Sequence, residues 1–138
     1  MNRQELQDIS NVRRREAAAL LKAKHYAGAY YLLGYSVECA LKACIAKQTN
    51  KHDFPNKIVV QKSYAHNLQQ LLKVAGLEYK LKQDMDLNPT LEVNWTTVKD
   101  WEETSRYTLN ISKNDAKDLY SACTSRSNGI LTWVKKEW

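Results

Sequence analysis

A chain of 138 residues is long enough for one domain with a substantial core, and its 43% hydrophobic content with only four glycines and two prolines excludes a disordered chain and a turn-rich β fold. Lys and Arg exceed Asp and Glu by 21 to 15, a net charge of +6 that suits an anionic partner without demanding one. Cys39, Cys44 and Cys123 are odd in number and lack a CxxC pair, so buried thiols are expected rather than disulfides, with no metal and no cofactor.

The opening "MNRQELQDIS" lacks the apolar core of a signal peptide, and a cytoplasmic location is expected. From about Gln4 to Lys24 the chain is rich in Ala, Leu, Glu, Lys and Arg, with Leu6, Ile9, Val12, Leu20 and Ala23 at helical spacing. Arg13, Arg14 and Arg15 make this first helix basic: a solvated face in most proteins, and a candidate anion-binding patch here. Gly28 marks a bend or break before a second helix, from about Ala27 to Gln48.

That second helix is the most apolar in the chain and belongs at the centre of a bundle. Its stretch from Tyr26 to Ala46 has the length of a membrane span, but Glu38 and Lys42 near the middle would each cost about 2.5 to 3.5 kcal/mol, so a core helix is the better reading. Residues 49–62 read as a loop ordered by Phe54 and Ile58 packing back. "YAHNLQQLLKVAG" restarts helical spacing and ends at Gly76, and one or two helical turns follow between Glu78 and Leu87. Asn88-Pro89 starts another helix, running to about Trp101.

"EETSRYTLNIS" reads as an ordered loop. Ser112 and Asp115 form a capping-box-like start to a last helix that holds its spacing to the C-terminus through a soft spot at Gly129. Trp95, Trp101, Trp133 and Trp138 lie in helical patterns and read as core or interface anchors.

Inside the second helix Glu38 precedes Lys42 by four residues, the favourable order for an ion pair. Tyr31, Tyr35, Glu38 and Lys42 share one stripe beside an apolar one through Tyr30, Gly34, Val37 and Leu41. Such a pair on its own implies no chemistry.

The block "YLLGYSVECALKACI", with Gly34, Tyr35, Glu38, Leu41, Lys42 and Ala43, followed by His66-x-Leu68 and Ser105-Arg106-Tyr107, resembles the small bacterial HEPN domains (higher eukaryotes and prokaryotes nucleotide-binding) over about residues 5–136. The resemblance implies a single all-α domain over 1–138, an up-and-down bundle of four to six helices that dimerises around a polar cleft, here walled by Tyr35, Glu38, Lys42, Arg106 and Tyr107. Active members of that family are metal-independent ribonucleases carrying Arg, four to six residues, then His. After Arg106 the corresponding positions hold Ile111, Ser112 and Lys113, and after Arg126 they hold Leu131, Thr132 and Trp133.

Cleavage of RNA by that route needs an acid or base near neutrality beside a phosphate-holding cation. The departure therefore points to a non-catalytic or degenerate HEPN protein. By resemblance it would be a homodimer that binds RNA, nucleotide or a partner such as a minimal nucleotidyltransferase, in a toxin–antitoxin or phage-defence system. The alternative is a ribonuclease whose site is rebuilt from Arg106, His66, Glu38 and Lys42, with Arg106 and His66 as its catalytic candidates.

Overall fold

The computed structural model describes residues 1–51 and 57–138. Among the described residues the chain forms eight α-helices, one 3-10 turn and no strand. None of these helices is long and apolar enough to cross a membrane. Phe54 lies outside the described residues, and of Ile58 only the backbone is described, so its expected packing lies outside them too.

Helix α1 (Arg3–Lys22) begins with a full capping box. The Glu5 backbone N–H donates to Asn2 Oδ1 at 2.8 Å, and the Asn2 N–H donates back to Glu5 Oε2 at 2.9 Å. Its end falls at Ala23–His25, where Lys24 takes a left-handed backbone with φ 66°. The break expected at Gly28 is thus four residues early, and Gly28 sits inside α2 (Tyr26–Lys51).

α2 is the organising element, packed against α1, α4, α7, α8 and the 3-10 turn. Leu33, Val37, Ala40, Leu41 and Cys44 are all buried along it, so apolar residues on several faces find partners rather than a single stripe. Against α1 the contact includes a reciprocal polar clamp: Ser10 Oγ donates to the Ser36 carbonyl at 2.8 Å, and Ser36 Oγ donates to the Ser10 carbonyl at 2.7 Å. Both hydroxyls are fully buried, and these bonds meet the cost of removing them from water.

Residues 57–62, expected in a loop, belong instead to a short helix, α3 (Lys57–Ser63). α4 (Leu68–Val74) is capped by Asn67, whose side chain accepts from the Gln70 N–H at 3.0 Å, and Gly76 follows it with φ 72°. α5 (Glu78–Leu87) is a full ten-residue helix where only a turn or two was expected. α6 (Pro89–Val98) has its proline at the start as predicted, with Asn88 as cap, and ends three residues before Trp101.

The segment read as an ordered loop holds the 3-10 turn (Glu103–Tyr107). α7 (Lys113–Thr124) starts at the predicted Ser112 cap, which accepts from the Asp115 N–H at 3.0 Å. The last helix is not continuous: α8 (Ile130–Lys135) is separated from α7 by a corner at Gly129. A Cβ there would lie 2.5 Å from the carbonyl oxygens of Cys123 and Ser125, so the corner needs glycine for its close backbone approach. The extra short helices and this split raise the count above the four to six expected.

Trp95, Trp101 and Trp133 are buried, and the Trp133 indole donates to Asp84 Oδ2 at 2.8 Å, tying α8 to α5. Trp101 lies flat on Gly34 of α2: a Cβ at that position would sit 2.1 Å from the indole Cε2. Gly34→Ala therefore cannot be absorbed by a rotamer change, because Trp101 is 1% exposed and surrounded. It is expected to destabilise the chain by about 3 kcal/mol through overpacking, read as a fall in the urea midpoint.

Candidate functional site

Three segments meet at Glu38. The carboxylate belongs to α2 and is only 2% exposed, and a buried charge requires partners. Lys42, one turn on, donates to Oε2 at 3.1 Å. From the linker between α3 and α4, His66 brings Nδ1 to 3.2 and 3.1 Å from the two Glu38 oxygens. The opposite ring nitrogen, His66 Nε2, lies 3.2 Å from Oε2 of Glu103, the first residue of the 3-10 turn.

Each imidazole nitrogen thus faces a carboxylate oxygen, an acceptor for whichever ring N–H is present. Glu38, Lys42 and His66, singled out from sequence, do come together. Glu103 was not foreseen. Its signal was its place three residues before Arg106, because residues i and i+3 of a 3-10 turn lie one above the other.

Arg106 and Tyr107 occupy the same turn and are exposed, with the Arg106 guanidinium 4.8 Å from the Tyr107 ring centre. The neighbouring Tyr107 phenol, followed by Tyr31 and Glu103, raises the Arg106 pKa above its ordinary value. Among the described residues Arg106 makes no ion pair. The turn is backed by an aromatic stack in which the Tyr31 ring lies 6.1 Å from Tyr35 and 6.0 Å from Trp101. Lys42 also walls a neighbouring groove of about 400 Å³ together with Arg3, Ile45 and Tyr64.

Tyr35 lies half-buried beside Cys39. Burial first, then the Cys39 thiol, pushes the Tyr35 phenol up to about 12. Burial first, then the Glu38 charge, pushes Cys39 up to about 11. All three cysteines are buried and free.

The three arginines of α1 have different surroundings. Arg13 is paired with Glu16, Arg14 is half-buried with no partner for its Nε among the described residues, and Arg15 is exposed. Among the described residues no group of three or more His, Cys, Asp or Glu side chains is arranged to hold a metal ion. Comparison of the chain with protein-family models, curated proteins and solved structures gives no match.

Two outcomes test this geometry. Glu38→Ala strands Lys42 and His66 and leaves a small void, and is expected to cost about 2 kcal/mol in chemical denaturation; Glu103→Ala, on the open side of His66, should cost less than about 1 kcal/mol. Because the folded pKa of Cys39 lies above its ordinary 9.0, the stability contributed by its neutral thiol is complete below that value and is lost as pH rises through about 11. Urea midpoints should therefore hold steady up to pH 9 and decline beyond it.

Proposed function

We propose that this chain is a HEPN-like helical protein that uses the exposed rim of the Glu38 site to bind RNA, nucleotide or a partner protein, rather than to cleave RNA. The observation that carries the reading is the double engagement of His66. With Nδ1 on Glu38 and Nε2 on Glu103, neither ring nitrogen is left to exchange a proton with a ribose hydroxyl. Arg106, by contrast, stands exposed on the same turn with no carboxylate partner among the described residues, suited to a phosphate group. Tyr64 and Tyr107, both largely exposed, add flat surfaces for a base.

In this reading the protein acts as a homodimer within a toxin–antitoxin or phage-defence system. A minimal nucleotidyltransferase is the proposed partner protein, and the cytoplasm the proposed location.

A metal-independent ribonuclease is the second reading, favoured by one observation: Lys42 and the half-exposed His66 both contact Glu38, with Arg106 on the turn that supplies Glu103. In that case Glu103 must release Nε2 when substrate binds. Incubation with labelled structured RNA, with and without EDTA, separates the two. The binding reading expects no cleavage, and RNA retention that weakens about tenfold or more in Arg106→Ala. Metal-independent cleavage that is abolished by both Arg106→Ala and His66→Ala would overturn it in favour of the ribonuclease.

A further inference from the structure

A second polar feature takes its lysines from α1, the turn after it and α7, which contribute nothing to the Glu38 site. Where α1 ends, the Lys24 N–H donates to the Leu21 carbonyl at 3.1 Å and the His25 N–H to the Leu20 carbonyl at 2.8 Å. These are the paired bonds of a Schellman turn, whose left-handed position normally holds glycine. Here it holds Lys24, the one non-glycine residue with positive φ among those described. Lysine is uncommon at a left-handed position, which glycine occupies without steric cost.

Lys113 is out of place for a second reason. It is the first residue of α7, where the partial positive charge of the helix end disfavours a cation. Lys117, four residues on, shares its face.

These two, with Lys22 and Lys24 from the end of α1 and with Tyr26 and Tyr120, line a pocket of about 360 Å³ that has no carboxylate in its wall. None of the four lysines forms an ion pair among the described residues. The acidic residues of α7, Asp115 and Asp118, line a different cavity, with Tyr30. The four exposed lysines share this wall with no carboxylate between them, an arrangement that an anion can bridge.

We propose that Lys22, Lys24, Lys113 and Lys117 form a binding pocket for phosphate groups. Phosphate carries enough negative charge and enough acceptor oxygens to engage several ammonium groups at once. The two phenols supply further donors, and the volume suits a small phosphate-bearing ligand or a short length of nucleic-acid backbone. Tyr26 and Glu38 are twelve residues apart on α2, about 18 Å along the helix, and neither Glu38 nor Arg106 lines this pocket.

Calorimetric titration of the full chain tests the pocket with three probes: inorganic tripolyphosphate, ATP in EDTA, and a uridine oligonucleotide. The decisive variant is Lys24→Gly, which gives the turn its preferred residue. It is expected to raise the melting temperature by a few degrees while weakening phosphate binding roughly tenfold. Lys117→Gln, which leaves the turn untouched, should weaken binding to a similar degree without that rise.

The Arg106 reading is tested by RNA retention in Arg106→Ala and the pocket by tripolyphosphate binding in Lys24→Gly and Lys117→Gln, so failure of the one and failure of the other are distinguishable. Binding of tripolyphosphate and ATP but not of the oligonucleotide identifies a free polyphosphate as the ligand. Tighter binding of the oligonucleotide identifies backbone phosphates. Binding of none of the three probes at low salt, or wild-type affinity in both Lys24→Gly and Lys117→Gln, would overturn the proposal.

Discussion

Burying the Glu38 carboxylate in the middle of the central helix is the constraint around which one end of this fold is arranged. A carboxylate that is 2% exposed cannot stand alone, and the chain meets it from two directions. Lys42 arrives through helix geometry, at the cost of nothing more than the right spacing. His66 arrives from a segment 28 residues downstream and requires the linker ahead of α4 to lie against α2. Glu103 then closes on the far side of the imidazole and draws in the 3-10 turn.

One turn earlier on the same helix, Gly34 performs the complementary task. Lacking a side chain, it lets Trp101 lie directly on the α2 backbone, which brings the segment after α6 onto the same face. The Tyr31, Tyr35 and Trp101 rings fill the space between these two fixed points. Packing at Gly34 and charge compensation at Glu38 thus act together, and the exposed Arg106 and Tyr107 take their position from both.

The two polar features differ in how they are balanced. Around Glu38 the carboxylate and both ring nitrogens of His66 have polar partners within the chain, and the arrangement is self-satisfied even without a ligand. Around Lys22, Lys24, Lys113 and Lys117 charges of one sign are gathered, with backbone geometry opposing two of them. The first pattern stabilises a fold and positions its neighbours; the second is the basis of the proposed phosphate pocket.

Local signals in the sequence were sufficient wherever neighbouring residues decide the outcome. The Asn88-Pro89 start, the Ser112 cap and the Glu38–Lys42 pair were all legible, because each depends on contacts within a few residues. Glycine misled where its role depends on what packs against it: Gly28 suggested a break that fell at Lys24, and Gly129 was taken as a soft spot within one helix when it is the corner between two. The apolar run of α2 fixed its central position, since a helix apolar on several faces has nowhere else to go.

What only the tertiary structure decided was which distant polar groups meet: His66 with both Glu38 and Glu103, and the end of α1 with the start of α7. Those encounters depend on how loops return the chain across long sequence separations, and no spacing rule along the chain encodes that return.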